Sequence, residues 1–536
     1  MTRVVTNRTD GRCDVLVVGA GIAGTQAALA AAQTGARVAL ASAGGTFSGS
    51  SFFAGTWGLG LIAPDGKNDV DDLVDAICEV GRGVADPALA RVLAAGAGPA
   101  VARLQALGCE LREASNAGER DFIPCFDRKH RSWHGLGRES YRTAVGAALE
   151  AAGVALLPHR ELLDLLDGRT SAGEKCVMGA VLYDSESNEL QVILAKAVVL
   201  ATGGVGGLFS RTLTMPDVLG TAQAVALRHG ASLVNPEFIQ IMPGLTEPVQ
   251  NVVFNERTFR FAEVEGFDAP DAAALLDERG GHGPFTASLA DRSVDLAVVA
   301  AGDAGAQVGY HLPEHLPEFM QTYFDWFRAS FGRDPADGVR IVPYAHASNG
   351  GIRIDAAAAT GVSGLYACGE CTGGMHGADR IGGLSSANGL VFGHIAGTSA
   401  AAWASGTHHA PEAGPTGEKD ALLPCLASRE AAGALAELGG LMQERCMVVR
   451  SKEGLLACLA GLHELEERVQ GALEPCKDAR QLAETRRAQD ALLTARALAT
   501  AMLNRRESRG AHFRADAPDE DPAQARPTIM RLADVL

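Results

Sequence analysis

Val15-Leu-Val-Val-Gly19-Ala-Gly21-Ile-Ala-Gly24 opens the first regular stretch of this chain. Val15 to Val18 is a short apolar, β-branched run of the kind buried in a parallel sheet. Gly19 to Gly24 spells Gly-x-Gly-x-x-Gly, the Ala-rich segment Thr25 to Gln33 reads as a helix that Gly35 closes, and Arg37-Val-Ala-Leu-Ala41 reads as a second strand. Strand, glycine turn, helix, strand is the order of a dinucleotide-binding βαβ unit. Gly19 makes the tight turn, Gly21 lets a pyrophosphate touch backbone, and Gly24 lets the helix sit close on the sheet. The helix start, with Ile22 and Ala23 in its opening turn, offers free N–H groups and a positive dipole end to phosphates. One departure stands out. The second strand runs into Ser42, where an acid usually holds the ribose hydroxyls, and a serine hydroxyl would hold them more weakly.

The rest of the composition fits such a domain inside a larger body. The chain has 536 residues, 47% hydrophobic and 21% charged, which are globular values, and its length suits several domains. A formal net charge of −17 repels polyanions and argues against nucleic-acid binding. The 11 cysteines are scattered, without zinc-site spacing or a haem-attachment motif, so no metal is expected. No secretory signal and no membrane-spanning apolar run is visible, so the expected location is the cytoplasm.

Val70 to Leu107 is helix-rich, and the basic, aromatic segment Arg120 to Arg142 reads as a solvated loop leading into a helix over Tyr141 to Ala152. Val154 to Asp164, Val177 to Tyr183 and Leu190 to Leu194 read as strands, followed by the buried strand Ala197 to Ala201 with its glycine turn at Thr202-Gly203-Gly204. The texture from Val234 to Pro343 changes to mixed helices and loops, which marks an insertion, because a new strand-glycine unit, Gly364 to Glu370, follows it. Glu412 to Lys419 reads as a linker, and Arg429 to Gln443, Leu455 to Leu473 and Arg480 to Arg505 are strongly helical.

Taken together, five segments resemble the flavoprotein family of fumarate reductase, succinate dehydrogenase and L-aspartate oxidase. They are Gly19 to Gly24, Ala197 to Gly204, His346-Ala-Ser-Asn-Gly-Gly351, Gly364 through Gly383, and Arg506-Glu-Ser-Arg-Gly-Ala-His-Phe-Arg514, in the family's order along nearly the whole chain. The resemblance implies an α/β protein with a Rossmann-like FAD-binding domain in two pieces (1–233 and 344–411). An inserted α+β capping domain (234–343) and a C-terminal helical domain (420–536) complete it. Glu370 is similar to the acid that hydrogen-bonds FAD hydroxyls. Ser385 or Ser386 would cap a helix whose N-terminus faces the flavin and favours its anionic reduced form. Members with covalent flavin carry a histidine near the position of Ser51, so the FAD is expected to be non-covalent. Arg380 matches the arginine that clamps a substrate carboxylate, a task suited to its bidentate fork. His346 matches a substrate-binding histidine, and Arg292 matches the arginine that exchanges the proton.

The implied reaction passes hydride between flavin N5 and a carbon adjacent to a carboxylate or similar acceptor, as reduction or desaturation. Two departures argue against a simple dicarboxylate. The family's Glu-Phe-x-Gln-x-His-Pro is Glu237-Phe-Ile-Gln-Ile-Met242-Pro243 here, so a thioether replaces the donor for a second carboxylate, and Asp379 and Leu384 alter the loop around Arg380. An underpaired buried carboxylate costs about 1–3 kcal/mol. An aspartate-oxidase-like amine oxidase using O2, and a flavoprotein electron-transfer subunit fed by a separate electron-transfer protein, are the alternatives. Cys368-Gly-Glu-Cys371 has redox spacing, but its place around Glu370 points to packing.

Overall fold

The computed structural model describes residues 11–170, 173–406 and 426–536. The expected linker at 412–419 and the domain edges at 411 and 420 lie outside the described residues.

The main sheet has seven strands. Arg12–Val18 lies between Val38–Ala41 and Glu189–Leu200, all parallel, and Ala155–Leu157 extends the sheet beyond Val38–Ala41. Lys175–Asp184 and Arg160–Arg169 add antiparallel strands on the other side. Val15 to Val18, Val38 to Ala41 and Ala197 to Leu200 are all buried, as an all-apolar parallel centre requires. The helix Ile22–Gln33 covers one face and packs along Leu384–Gly406, with Gly393 and Gly397 approaching its backbone so closely that an added Cβ would lie 2.5 Å from Ala23 O and 2.1 Å from Ala27 O. Leu365–Ala367 pairs in parallel with Val198 to Leu200. The sheet is thus completed by chain from beyond the insertion, which returns to the Leu200 end on the side away from Val18.

Several elements differ from their expectation. Glu189–Leu200 is one strand of 12 residues rather than two. The segment after Arg120 is not a solvated loop: Ser132–Leu136 is the central strand of a three-stranded sheet with Leu59–Ala63 and Leu111–Arg112, and the helix begins earlier, at Arg138. Arg131, only 7% exposed, holds this segment inside because its charge is answered by Asp127 at 2.8 Å and by the distant Asp69 at 2.6 Å. The inserted region carries a five-stranded sheet built on Ile239–Glu247 and Val339–Ser348. The second of these strands runs through the expected boundary at 343/344 and delivers His346 from the insertion to the main body. Ala431–Arg445, Lys452–Gly471 and Ala479–Asn504 pack against one another as the C-terminal helices.

Candidate active site

A cleft of about 710 Å³ opens where Arg12–Val18 and Glu189–Leu200 end. Gly19, Gly21, Ile22, Ala23 and Ser42 line one part of it, and Thr202, Gly203 and Glu370 another. His346, Arg380, Ser385 and Ser386 line the remainder. Gly24 and Gly204 stand just behind this wall. A Cβ on Gly24 would fall 1.7 Å from Gly19 O, and one on Gly204 2.3 Å from Glu370 Oε1, so both shape the cleft by packing.

The walls suit a dinucleotide. Gly19 has φ +108°, and a Cβ there would lie 2.2 Å from Ala201 O, so glycine alone fits the turn. The N-cap residue Gly21 has no side chain to cap the helix Ile22–Gln33, and only Ser51 Oγ, a long 3.5 Å from Ile22 N, meets its first turn, which suits that helix start to phosphates. The buried hydroxyls of Ser50 and Thr202 line the cleft and have no partner, as expected of groups that await a polar ligand. Ser42 Oγ lies 3.2 Å from Gly45 O and 3.1 Å from Ser48 Oγ, and as a hydroxyl it keeps acceptor capacity for a ligand. Glu370 accepts the Ser348 N–H at 3.0 Å, and burial pushes its carboxyl up.

The helix Leu384–Gly406 begins one residue before Ser385. Neither serine is therefore the cap. Gly383, with φ +80° and Ile62 pressed against it, makes the entry turn, and both serines sit in the first helical turn.

Arg380 is 8% exposed and is oriented by Gln240, whose Oε1 accepts from Nε at 3.0 Å and Nη2 at 2.6 Å, while Nη1 donates to Ile381 O at 3.3 Å. Of the guanidinium's five N–H donors, two remain for the cleft. Gln240 is a site residue that the sequence reading passed over. Its signal was its place in Glu237-Phe-Ile-Gln240, which leads into the strand Ile239–Glu247. His346 has an unpartnered, buried Nδ1, and burial, reinforced by the charge of Arg380, lowers its pKa to about 3. The imidazole is neutral at ordinary pH. Asp379 accepts from Thr286 Oγ1 at 2.7 Å, and burial pushes its carboxyl up to about 7.

Arg292 is apart from these residues. It heads the helix Arg292–Ala300, donates from Nη1 to Ala287 O at 2.6 Å and lies over the Phe513 ring at 5.7 Å. Ala287 in turn donates its N–H to Gly510 O, and Ala511 N–H reaches Ala378 O. Arg292 thus reaches the Arg380 loop through two backbone segments. The cysteines bracketing Glu370 are packing groups: Cys371 Sγ donates to Leu200 O at 3.3 Å and to Cys368 O at 3.2 Å. Among the described residues no cluster of potential metal ligands occurs.

The model of the FAD binding domain family matches residues 14–386, and that of the fumarate reductase flavoprotein C-terminal region matches residues 435–531. This chain is a flavoprotein of the fumarate reductase, succinate dehydrogenase and L-aspartate oxidase family. An L-aspartate oxidase of Streptomyces coelicolor is 32% identical, with 97% of this chain and 91% of that protein covered. One of Mycobacterium tuberculosis is 31% identical, covering 97% and 95%. A solved structure of Mycobacterium smegmatis Sdh1 in complex with UQ1 superposes with a TM-score of 0.79 at 25% identity, covering 97% and 92%. Membership makes FAD the cofactor and the protein an oxidoreductase. No helix among the described residues of this flavoprotein is long and apolar enough to cross a membrane.

Proposed function

We propose that this flavoprotein oxidises or reduces the carbon next to a carboxylate in an acid that is not a simple dicarboxylate. The observation that carries the reading is Arg380: a buried guanidinium, fixed by Gln240, with two N–H donors free toward the cofactor cleft and a neutral His346 beside it. Gly19, Gly21, Ile22 and Ala23 would hold the FAD pyrophosphate, Glu370 and Ser42 its hydroxyls, and Thr202 and Gly203 the adjoining part. The first turn at Ser385 and Ser386 would stand at the flavin. Position 51 is a serine, and His346 is the sole imidazole among the described residues lining the cleft, so the FAD would be non-covalent. When bound, FAD supplies two-electron redox chemistry.

The chain's own groups supply binding and charge. Arg380 would grip the carboxylate, and a buried cation–carboxylate pair is stronger than one in water. His346 would add a hydrogen bond without a second positive charge. By the family resemblance a second carboxylate would sit beside Met242, where the thioether offers no donor. Met242 Cε and the Glu256 carboxyl carbon lie 2.9 Å and 3.7 Å from the Cβ position of Gly283, which sets a thioether and a carboxylate there. Arg292 would position the Arg380 loop through Ala287 and Gly510. A proton-exchange role would fall to one of its N–H groups other than the one held by the Ala287 carbonyl.

Arg380→Ala is expected to lose activity by about 10²-fold or more while keeping bound FAD. Turnover within a few-fold of the parent would remove Arg380 from the site. The substrate comes from anaerobic titration: bleaching of the flavin by saturated acids or amines, or reoxidation by unsaturated acids.

A second reading, an amine oxidase acting on aspartate with O2, draws support from relatives named L-aspartate oxidase. Peroxide release with L-aspartate under air would establish it. As a reductase the protein would need electrons from a separate redox protein, which co-purification would reveal.

A further inference from the structure

A second cavity, of about 360 Å³, adjoins the cofactor cleft, and Gly58, Leu59, Gly60 and Gly383 line both. It lies between the three-stranded sheet that carries Trp133 and the helix Glu318–Phe331. Four aromatic rings wall it edge to face: Trp57 to Phe319 at 4.8 Å, Phe122 to Trp133 at 5.0 Å, and Phe122 to Phe319 at 5.7 Å between centroids. Phe122 is buried, but Trp57, Trp133 and Phe319 are only partly covered. Here three large rings keep surface open to a hollow beside the cofactor.

The same wall contains two buried polar atoms without a hydrogen-bond partner, Asp121 Oδ2 and Arg257 Nε, and the second of these is ion-paired with Glu256 Oε1 at 3.7 Å. Asp121 is 2% exposed and Arg257 4%. Their other atoms are engaged: Asp121 Oδ1 accepts from Arg260 at 2.5 Å, and Arg257 donates to Gly280 O at 3.0 Å and Ile123 O at 2.8 Å. An unmatched acceptor, Asp121 Oδ2, in an aromatic hollow awaits a ligand that carries both an apolar ring and a polar donor. The size agrees, since an apolar cavity of roughly 150 Å³ already holds benzene.

We propose that this cavity receives the aryl end of the substrate, an acid whose aromatic ring bears a hydroxyl or N–H donor. Its carboxylate would lie at Arg380 and its ring among Trp57, Trp133 and Phe319, with the ring donor on Asp121. The assignment rests on the reading of Arg380 as the carboxylate clamp and adds the substrate class to it.

The test is calorimetric titration of the FAD-loaded enzyme with para-hydroxyphenylpropanoate, phenylpropanoate and succinate. The expected order of affinity is that order, with the hydroxylated acid about tenfold or more tighter than succinate. Trp133→Ala and, as a milder change, Phe319→Leu should each weaken the two aryl acids about tenfold. Succinate binding and flavin content should not change, the latter reporting an intact fold. Succinate binding as tightly as the aryl acids, or variants that weaken all three acids alike, would overturn the aryl site. Arg380→Ala separates the two levels. If it weakens all three acids while the ring makes no difference, only the aryl assignment falls. If it leaves all three affinities unchanged, the carboxylate reading falls with it.

Discussion

The side-chain oxygen of Gln240 takes two N–H bonds from Arg380, at 3.0 and 2.6 Å, across 140 residues of sequence. This pair aims the guanidinium. Gln240→Ala should therefore raise KM for the acid substrate by about tenfold or more, with a smaller change in kcat and with FAD still bound. Gln240→Glu restores the acceptor but neutralises the cation, so it should bind the carboxylate no better than the alanine variant. A variant with unchanged KM would show that Arg380 needs no such anchor.

Arg292 offers a choice between two roles. Held by Ala287 O and lying over Phe513, it acts on the Arg380 loop from behind. Arg292→Lys, which keeps the charge, should retain turnover within about tenfold and leave the pH profile of kcat in place. A loss of about 10³-fold with unchanged substrate binding and a shifted pH profile would instead make Arg292 the proton-exchanging group.

Buried titratable groups set opposing pH slopes on stability. His346 titrates at about 3 in the fold against 6.5 ordinarily, and His376 and His512 are also lowered by burial. Between those values the unfolded chain binds the proton and the folded one does not, so stability is lost as pH falls below about 6.5, by up to about 1.4 kcal/mol per pH unit for each histidine. Asp379 runs the other way. Its carboxyl titrates at about 7 when folded against 3.8 ordinarily, so it lowers stability as pH rises through that window. Asp379→Asn should therefore stabilise the protein at pH 8 more than at pH 5, by about 1–3 kcal/mol. Thermal denaturation at the two pH values measures this, and equal gains at both would refute it.

Ser51 lies at the cofactor wall with its hydroxyl 3.5 Å from the Ile22 N–H. Acid precipitation of the yellow holoprotein should release all flavin to the supernatant and leave a colourless pellet. Colour retained in the pellet would mean a covalent bond.

The glycine turn, the parallel strands around it, the His346 and Arg380 segments and the C-terminal helices were legible in the chain alone. The His346 and Arg380 segments were legible through their resemblance to the family. The turn, strands and helices depend on local rules: where backbone must approach a phosphate, where a β-branched run must be buried, where a helix must start and stop. Ser385 and Ser386 show how far such rules reach, since the helix was placed correctly but its cap fell to Gly383, which close packing against Ile62 decides. What lay beyond the sequence was the company each side chain keeps. Gln240 became the anchor of Arg380, and Trp133, read as part of a solvated loop, became a cavity wall. Arg292 settled on Ala287 outside the cleft. These contacts join segments far apart in the chain, and side-chain partners at such separations are chosen by how sheets and helices pack in three dimensions, which no local spacing encodes.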